Sequence, residues 1–354
     1  MNRLLARSIA LGLCMPLAGH CAAEVPQIRS EVRSEVRTDI RSEIRPKNQI
    51  VLRYGQTLSA VRSVFSLPIV VAQREGLFRR EGLDFRLVVP IPGGADKMID
   101  ALHDDTVDIT HVATPFLIRA ALAGSDAVAI AAEFNNPIYS LVAQAEIKTY
   151  SDLKGRLLGL ADEAGSITIS TRKLLARHGI GANDFKFKTI DGTASRFTCL
   201  SKGECAAVPL GQPQDLLAFA QGYRLLGSSV EVVPEFVYTV TAVRRSWAAT
   251  NRDALLRYVR ALSASFAFIR DPSRRKPVIE AIVQSNGVST EIAARILSLY
   301  FEPERRVLPH RGEIDMKGFA EVIVFMGEAG LLKAPLPKAE RFVDLQYLRE
   351  VERR

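Results

Sequence analysis

Short apolar runs alternate with amphipathic stretches along the chain from about residue 50 onward. Runs such as Ile50–Tyr54 and Ala127–Ala132 are short and apolar, which predicts buried strands. Stretches such as Leu67–Arg74 and Ile167–His178 repeat apolar residues at helical spacing and end next to a turn with glycine, which predicts helices. Because strands that alternate with helices form sheets with crossover connections, the pattern predicts an α/β fold.

The same pattern continues to the end of the chain and changes its character after residue 243. Further strands are predicted at Asp84–Val89, Val107–His111, Leu157–Leu160, Phe185–Ile190, Ala206–Leu210 and Phe236–Val243. Further helices are predicted at Ala95–His103, Phe116–Ala123, Ser195–Ser201, Gln214–Ala220, Arg252–Ile269, Pro277–Ser285, Thr290–Tyr300 and Lys317–Ala329. Two α/β lobes followed by a helical tail are therefore expected.

The first residues have the order of a secretory signal peptide. Arg3 and Arg7 precede the apolar stretch Ile9–Ala18, and small residues follow up to Ala23. We expect a signal over residues 1–23, cleavage near Ala23 and a periplasmic mature chain; a buried helix or a lipid-anchored Cys21 are the alternatives. The apolar stretch is shorter than the roughly 20 residues that cross a bilayer, so no stable membrane insertion is expected.

A charged repeat follows the predicted signal. Ile28–Arg45 repeats every four residues, which in a helix would stack like charges one turn apart. Residues 24–47 are therefore expected to form a flexible linker or an extended arm that pairs with a partner.

Composition excludes several classes of protein. The 354 residues are 47% hydrophobic, which suits a folded chain long enough for two domains. The net charge of +8 is spread along the chain without an aromatic and basic block, so no nucleic acid is expected as a partner.

Two cysteines remain after removal of the predicted signal. In an oxidising compartment, Cys199 and Cys205 are expected to form a disulfide that closes a short loop. Two buried free thiols are the alternative. No metal site is expected, because no histidine or further cysteine lies nearby at ligand spacing.

Several motifs occur in an order that resembles one protein family. Leu67–Ala72, Gly76–Asp84, Pro92-Gly93-Gly94, Val107-Asp108-Ile109, Ser151–Gly155, Gly203–Ala207, Gly330-Leu331-Leu332 and Val343–Leu348 follow one another across the globular part. The sequence thereby resembles the periplasmic solute-binding proteins of the nitrate/sulfonate/taurine and thiamine-precursor type. The resemblance implies a periplasmic-binding-protein type II fold, with two α/β lobes joined by a hinge and a helical C-terminal tail.

The same resemblance implies a domain organisation and a role. Lobe 1 would span residues 48–138, lobe 2 residues 139–242, and residues 243–354 would return to lobe 1. The chain would cross near Asn135–Ser140 and return near Val240–Arg244. It would be a monomer without a cofactor that captures a small solute by hinge closure and delivers it to an ABC transporter permease.

Loops at the carboxyl ends of the predicted strands are the candidate ligand site, because helix N-termini there suit anionic groups. The candidate residues are Thr57, Ser63, Phe65, Ser66, Gly93, Gly94, Thr114, Pro115, Asn135, Asn136, Gly165, Ser166, Thr193 and Gln212. The alternatives are plain helix caps for Thr114 and Ser166, core packing for Phe65, Phe134 and Phe236, and a tight turn at Gly93-Gly94.

Three arginines are candidates for an anion contact. Arg62, Arg119 and Arg196 could each pair with an acidic group, but the positions of Arg119 and Arg196 within predicted helices favour solvated faces. The sequence leaves open which of the three, if any, meets the ligand.

Enzyme motifs are missing from the sequence. The histidines are scattered, and no Gly-x-Ser-x-Gly elbow, phosphate loop or dinucleotide fingerprint occurs. A small anionic solute of the sulfonate, nitrate, taurine-like, carboxylate or pyrimidine-precursor class is expected. The alternatives are an exported binding protein that serves a sensor or surface partner and, more remotely, a pyrimidine-precursor enzyme of the same fold.

Overall fold

The computed structural model describes residues 49–353, without residue 62, residues 89–96, residue 137, residue 234 and residues 302–305. The predicted signal peptide, the charged linker, Arg62 and the candidate ligand residues Gly93 and Gly94 therefore lie outside the described residues. All of the described residues belong to one compact unit, Arg45–Arg354.

Two five-stranded sheets carry the fold. The first sheet has the order β2-β1-β3-β10-β4, and the second has the order β7-β6-β8-β5-β9. The strands are β1 (Ile50–Gly55), β2 (Leu83–Val88), β3 (Ile109–Ala113), β4 (Ala127–Phe134), β5 (Ser140–Ala143), β6 (Leu157–Leu160), β7 (Lys186–Thr189), β8 (Ala207–Leu210), β9 (Arg224–Ser228) and β10 (Thr239–Arg244).

Helices flank both sheets. They are α1 (Leu58–Val61), α2 (Leu67–Arg74), α3 (Leu77–Arg80), α4 (Met98–His103), α5 (Thr114–Leu122), α6 (Ser166–Arg177), α7 (Thr193–Ser201), α8 (Gln214–Ala220), α9 (Arg245–Thr250), α10 (Arg252–Arg270), α11 (Arg275–Asn286), α12 (Thr290–Tyr300), α13 (Met316–Glu328) and α14 (Gln346–Glu352). The predicted α/β fold class is confirmed. None of the helices in the described residues is both long and apolar enough to span a membrane.

Both sheets are mixed. In the first sheet, β1 runs parallel to β2 and β3, whereas β10 runs antiparallel to β3 and β4. In the second sheet, β6 runs parallel to β7 and β8, whereas β5 runs antiparallel to β8 and β9. The antiparallel strand in each sheet follows a passage of the chain from one sheet to the other.

These passages position the site. The chain leaves the first sheet at Phe134, enters the second at Ser140, and has returned by Thr239, which pairs with Ala113 and Phe134. The return therefore comes before the boundary at residue 242 that the sequence suggested, because β10 belongs to the first sheet over its whole length.

The helical tail covers the first sheet. The buried face of α10 packs on α2, α3 and α14, and Tyr258 from α10 stacks against Phe78 and Tyr54. The aromatic rings join the tail to β1 and α3, so the C-terminal helices belong to the core of the first half.

A disulfide closes the turn between α7 and β8. Cys199 and Cys205 are bonded, with their Cα atoms 5.4 Å apart. Both cysteines are buried against Val208 and Leu210 of β8, so the bond fixes the end of α7 to the second sheet.

Candidate functional site

A cavity of about 100 Å³ lies where loops from both sheets meet. Its polar lining from the first half of the fold consists of Thr57, Ser59, Ser63, His111 and Thr239. Its polar lining from the second half consists of Asp162, Ser166, Asp191, Thr193 and Arg196. The cavity thus lies beyond strand ends, where α/β sheets place their ligands.

The loop after β1 forms one wall and satisfies most of its own polar groups. The Thr57 hydroxyl accepts from the amide of Ala60 at 3.2 Å. The Ser63 hydroxyl donates to the carbonyl of Ala60 at 2.8 Å and accepts from the amide of Phe65 at 3.3 Å. These bonds hold the loop in a fixed shape at the edge of the cavity.

A buried carboxylate lies behind the first wall. Glu133 is fully buried and accepts hydrogen bonds from the hydroxyl of Tyr54 at 2.9 Å and of Thr241 at 2.7 Å. Its Oε2 also lies 2.7 Å from Nδ1 of His111, whose ring lines the cavity. Because one ring nitrogen is held by Glu133, the imidazole has a fixed orientation.

The opposite wall contains a carboxylate that caps a helix. Oδ1 of Asp162 accepts from the amides of Ala164 at 3.0 Å and Gly165 at 2.5 Å, directly before α6. Burial raises the pKa of Asp162, while the two amides and the charge of Arg196 act in the opposite direction. The carboxylate of Asp162 therefore occupies part of the N-terminus of α6, which the sequence analysis predicted to bind an anion.

Arg196 is a buried cation at the same wall. Its Nε donates to the carbonyl of Pro209 at 2.8 Å, and its Nη1 donates to the carbonyl of Ile190 at 3.1 Å. Burial lowers its pKa, opposed by Asp162 and Asp191 among other groups. The expectation of a solvated face for Arg196 is wrong, because its side of α7 turns towards the ends of β7 and β8 and only 2% of the residue is exposed.

Two buried hydroxyls at the cavity have no partner. Ser166 on α6 is 1% exposed and Thr239 on β10 is 2% exposed. Neither side-chain oxygen has a hydrogen-bond partner among the described residues, although both residues line the cavity. Because buried polar groups normally have a hydrogen-bond partner, the pair indicates a site where a bound molecule would supply the missing hydrogen bonds.

Aromatic rings close the base of the cavity. Phe65 packs against Tyr139 and Tyr238, whose hydroxyls lie 2.8 Å apart. Burial raises the pKa of Tyr139 to about 12. A Cβ atom at Gly211 would lie 3.2 Å from the Phe65 ring, so the glycine allows this ring of the first half to meet the second half closely.

The structure brings together only part of the predicted site. Thr57, Ser63, Phe65, Ser166 and Thr193 line the cavity. Those outside its lining are Ser66, Thr114, Pro115, Asn135, Asn136, Gly165 and Gln212.

Three of the excluded polar residues donate a hydrogen bond within the chain. Thr114 donates to the carbonyl of Val237 at 2.6 Å, and Ser66 donates to the carbonyl of Ser63 at 3.1 Å. Gln212 donates to Asp215 at 2.9 Å. Phe134 and Phe236 pack in the core, and Arg119 is exposed on α5.

Several lining residues were missed by the sequence interpretation. His111 and Thr239 lie at predicted strands, where a polar residue among apolar neighbours was the available signal. Asp191 lies two residues before the candidate residue Thr193. Among the described residues no three histidine, cysteine, aspartate or glutamate side chains come together as a possible metal site.

Comparison with known sequences identifies the family. The sequence profile of the NMT1/THI5 like family matches residues 65–274, more than half of the chain. This chain belongs to the NMT1/THI5 like family. The matched region includes every lining residue of the cavity apart from Thr57, Ser59, Ala60 and Ser63.

Two curated relatives of this NMT1/THI5 like protein are distant. YtlA of Bacillus subtilis (strain 168) is 24% identical over 246 residues, which cover 67% of this chain and 72% of that protein. The bicarbonate transport ATP-binding protein CmpC of Synechocystis (strain PCC 6803) is 23% identical over 258 residues, which cover 66% of this chain. The match spans only 38% of CmpC.

Solved structures share the fold at low identity. The periplasmic nitrate-binding protein NrtA from Synechocystis PCC 6803 has a TM-score of 0.71 and 14% identity, covering 86% of this chain and 89% of NrtA. The periplasmic aliphatic sulphonate binding protein SsuA from Escherichia coli has a TM-score of 0.65 and 18% identity, covering 84% and 92%. The desulfurization enzyme DSZB has a TM-score of 0.60 and 14% identity, covering 86% and 99%.

Proposed function

We propose that this NMT1/THI5 like protein is the extracytoplasmic solute-binding component of an ABC-type importer. It captures a small anionic solute in the cavity between the two sheets. The observation that carries the proposal is the pair of buried, unpartnered hydroxyls of Ser166 and Thr239, which come from opposite halves and line one cavity. A solute that bonds to both would link the two halves.

The chemistry of the cavity supports a small polar solute. A cavity of about 100 Å³ suits a molecule of a few heavy atoms. Arg196 supplies a cation, and Nη2 is its one nitrogen without a hydrogen bond to the described residues. Sulfonate, nitrate, taurine-like, carboxylate and pyrimidine-precursor solutes are the candidate classes, and NrtA and SsuA are named for two of these classes.

Contacts between the halves support a function by closure. The ring of Phe65 meets Gly211, and Lys173 of α6 binds Glu328 of α13 at 3.1 Å. These contacts join parts of the fold that are connected only by the two passages between the sheets. We infer that a bound solute favours this closed arrangement and that a permease recognises it.

A thermal-shift screen tests the proposal. The mature chain is heated with nitrate, bicarbonate, ethanesulfonate, taurine, simple carboxylates and aminopyrimidines. A ligand at 100 times its Kd stabilises the folded state by about 2.7 kcal/mol, so a true solute raises Tm clearly. No shift with any member of the panel would contradict the anionic assignment.

A catalytic role is the second candidate, and one observation favours it. The imidazole of His111 is held by the buried carboxylate of Glu133 and lines the cavity, as a general base would be. The fold is also shared with the enzyme DSZB. Mass spectrometry of each bound compound after prolonged incubation distinguishes the two, because a binding protein returns its solute unchanged.

The predicted export signal and the charged repeat bear on where the protein acts and on its partner. A cleaved signal at residues 1–23 would place the mature chain in the periplasm. The repeat at Ile28–Arg45 is the feature that favours a sensor or surface partner instead of a permease. Deletion of Glu24–Arg45 separates these roles: uptake that survives while a partner interaction is lost would assign the arm its own function.

A further inference from the structure

The ring of His111 is held from behind by a buried carboxylate. Nδ1 of His111 lies 2.7 Å from Oε2 of Glu133, whose side chain is completely buried. The hydroxyls of Tyr54 and Thr241 donate to the same carboxylate at 2.9 Å and 2.7 Å. Because both hydroxyls donate, the oxygens of Glu133 act as acceptors, which suits the charged form of the side chain.

The charge of Glu133 has a partner in His111. In the described part of the chain, His111 is the one basic side chain that forms an ion pair with Glu133. A buried carboxylate without a positive partner is costly, so the imidazolium form of His111 balances this charge and donates from Nδ1. Burial and, after it, the charge of Glu133 raise the pKa of Tyr54, which therefore remains a neutral donor and supplies no competing charge.

The other nitrogen of the ring belongs to the cavity. His111 lines the cavity, and its Nε2 has no hydrogen bond to the described residues. Arg196 lines the same cavity from the second half of the fold, and its Nη2 is likewise without a hydrogen bond to the described residues. In a cavity of about 100 Å³, one small anion can contact both groups. A proton on Nε2 would therefore give each half of the fold one positive charge towards the anion.

Other titratable groups face or flank the ring. They are Glu133, Tyr54 and Tyr258 behind it, Asp162, Asp191 and Arg196 across the cavity, Tyr139 and Tyr238 at its base, and the exposed Asp100, His103 and Arg119 on α4 and α5, which pack on β3. Burial raises the pKa of all four tyrosines, so they stay neutral. By their charge, the two aspartates across the cavity favour a positive His111, whereas Arg196 opposes it.

We propose that His111 binds the acidic group of the solute through Nε2–H and takes up a proton from solution as the solute binds. The inference rests on the proposed function, since it concerns the solute of that same cavity. The bound acid stabilises the imidazolium, so the complex keeps this proton to a higher pH than the empty protein does. The affinity for an anion therefore falls as pH rises through the range in which the empty protein loses the proton.

Anions of two strong acids test this directly, because their own charge does not change between about pH 5 and pH 8, where histidines titrate. Calorimetry measures the binding of nitrate and of ethanesulfonate to the mature full chain over this range. Buffers of different ionisation enthalpy show how many protons are taken up. We expect at least one of the two anions to bind with proton uptake and to lose about tenfold or more in affinity across the range.

Two variants and one control assign the effect to His111. The amide of His111→Asn can still donate to Glu133 but does not titrate, so we expect the affinity to change less than about twofold across the range. Glu133→Gln keeps an acceptor for the two hydroxyls but removes the charge, so the loss of affinity should move to lower pH. His310→Asn removes an exposed histidine outside the cavity lining and should leave the pH profile unchanged.

Nitrogen NMR of the original chain gives a readout that needs no stable variant. A histidine ring signal should titrate at higher pH when nitrate or ethanesulfonate is bound, and this signal should be absent from His111→Asn. Histidine signals that all titrate identically with and without a bound anion would overturn the inference.

The outcomes separate the two proposals. Binding that is independent of pH and takes up no proton overturns the inference and leaves the proposed function standing. A pH profile that persists unchanged in folded His111→Asn does the same. Failure of both anions to bind at millimolar concentration, even at the acidic end of the range, also overturns the inference, and it contradicts the proposed function only when the whole thermal-shift panel fails as well.

Discussion

The ammonium group of Lys173 lies 3.5 Å from the centroid of the Phe325 ring. Lys173 belongs to α6 beside the second sheet, whereas Phe325 belongs to α13, which packs on α5 of the first half. Lys173 also binds Glu328 one turn further along α13. This cation–π contact and ion pair therefore connect the two halves outside the cavity.

Loss of this contact should favour an open arrangement. Lys173→Met removes the charge but keeps a flexible apolar chain, and we expect the affinity for a bound solute to fall about two- to fivefold. Small-angle X-ray scattering of the solute-free variant should give a larger radius of gyration. Lys188→Met is the matched control, because Lys188 pairs with Glu204 within the second half alone. Identical scattering from both variants would show that the contact plays no part in closure.

The buried group around Glu133 should be a major source of stability. Glu133→Ala leaves His111, Tyr54 and Thr241 without their shared acceptor, and we expect it to lower the free energy of unfolding by about 3 to 5 kcal/mol. Thr241→Val removes one donor and should cost about 1 kcal/mol. Urea denaturation followed by circular dichroism measures both values. A loss below about 1 kcal/mol for Glu133→Ala would mean that the carboxylate is not structurally required.

Asp215 should make stability depend on pH in an unusual direction. Burial is the main cause that raises its pKa, although Ser140 and Gln212 donate to it. The folded state then holds this proton to a higher pH than the unfolded state, so the contribution of Asp215 to stability falls as pH rises through that range. Asp215→Asn removes this contribution. The Tm of the variant minus the Tm of the original chain should therefore be largest at neutral pH and smaller at low pH.

Asp152 provides a comparison of the opposite sign. Hydrogen bonds from the amides of Thr149 and Lys148 lower its pKa, so its stabilising effect is present at neutral pH and is lost as pH falls. The Tm difference caused by Asp152→Asn should therefore shrink towards low pH. Differences of the same sign and pH dependence for both variants would contradict the account of Asp215.

The disulfide should stabilise the second half moderately. Cys199 and Cys205 are six positions apart, and closing so short a loop is worth about 2 kcal/mol in the chain-entropy account. The double variant Cys199→Ser, Cys205→Ser should lose that amount in urea denaturation, as should the original chain under reducing conditions. If the reductant changes the stability of the double variant equally, the effect does not come from this bond.

Much of the fold was predictable from local pattern. The strand Leu157–Leu160 and the helix Thr290–Tyr300 have the predicted bounds, because each has a clear period and a turn residue on both sides. Strands β5 and β9 were missed. The first is only four residues long, and the second has an exposed leucine, Leu225, beside the half-buried Leu226, which hides its alternation.

The site was less predictable, because its members depend on tertiary contacts. Ser166 and Thr193 lie in loops that follow the carboxyl ends of strands, and this position predicted them correctly as lining residues. Thr114 has the same kind of position, but its hydroxyl donates to the carbonyl of Val237 and does not line the cavity. The burial of Arg196 could not be predicted from its position. Its place early in a helix does not reveal which side of that helix the second sheet covers, and the two carbonyls that bind it, those of Ile190 and Pro209, come from the ends of two different segments of the second half.

The central claim is most directly tested by calorimetric titration of a solute from the thermal-shift screen into the mature chain and into the double variant Ser166→Ala, Thr239→Val. We predict one solute per original chain and an affinity at least about tenfold weaker in the double variant, which lacks the two unpartnered hydroxyls of the cavity. Without solute, the double variant should be as stable as the original chain or more stable, because it no longer buries two unpaired hydroxyls. Equal affinity in both proteins would contradict the account.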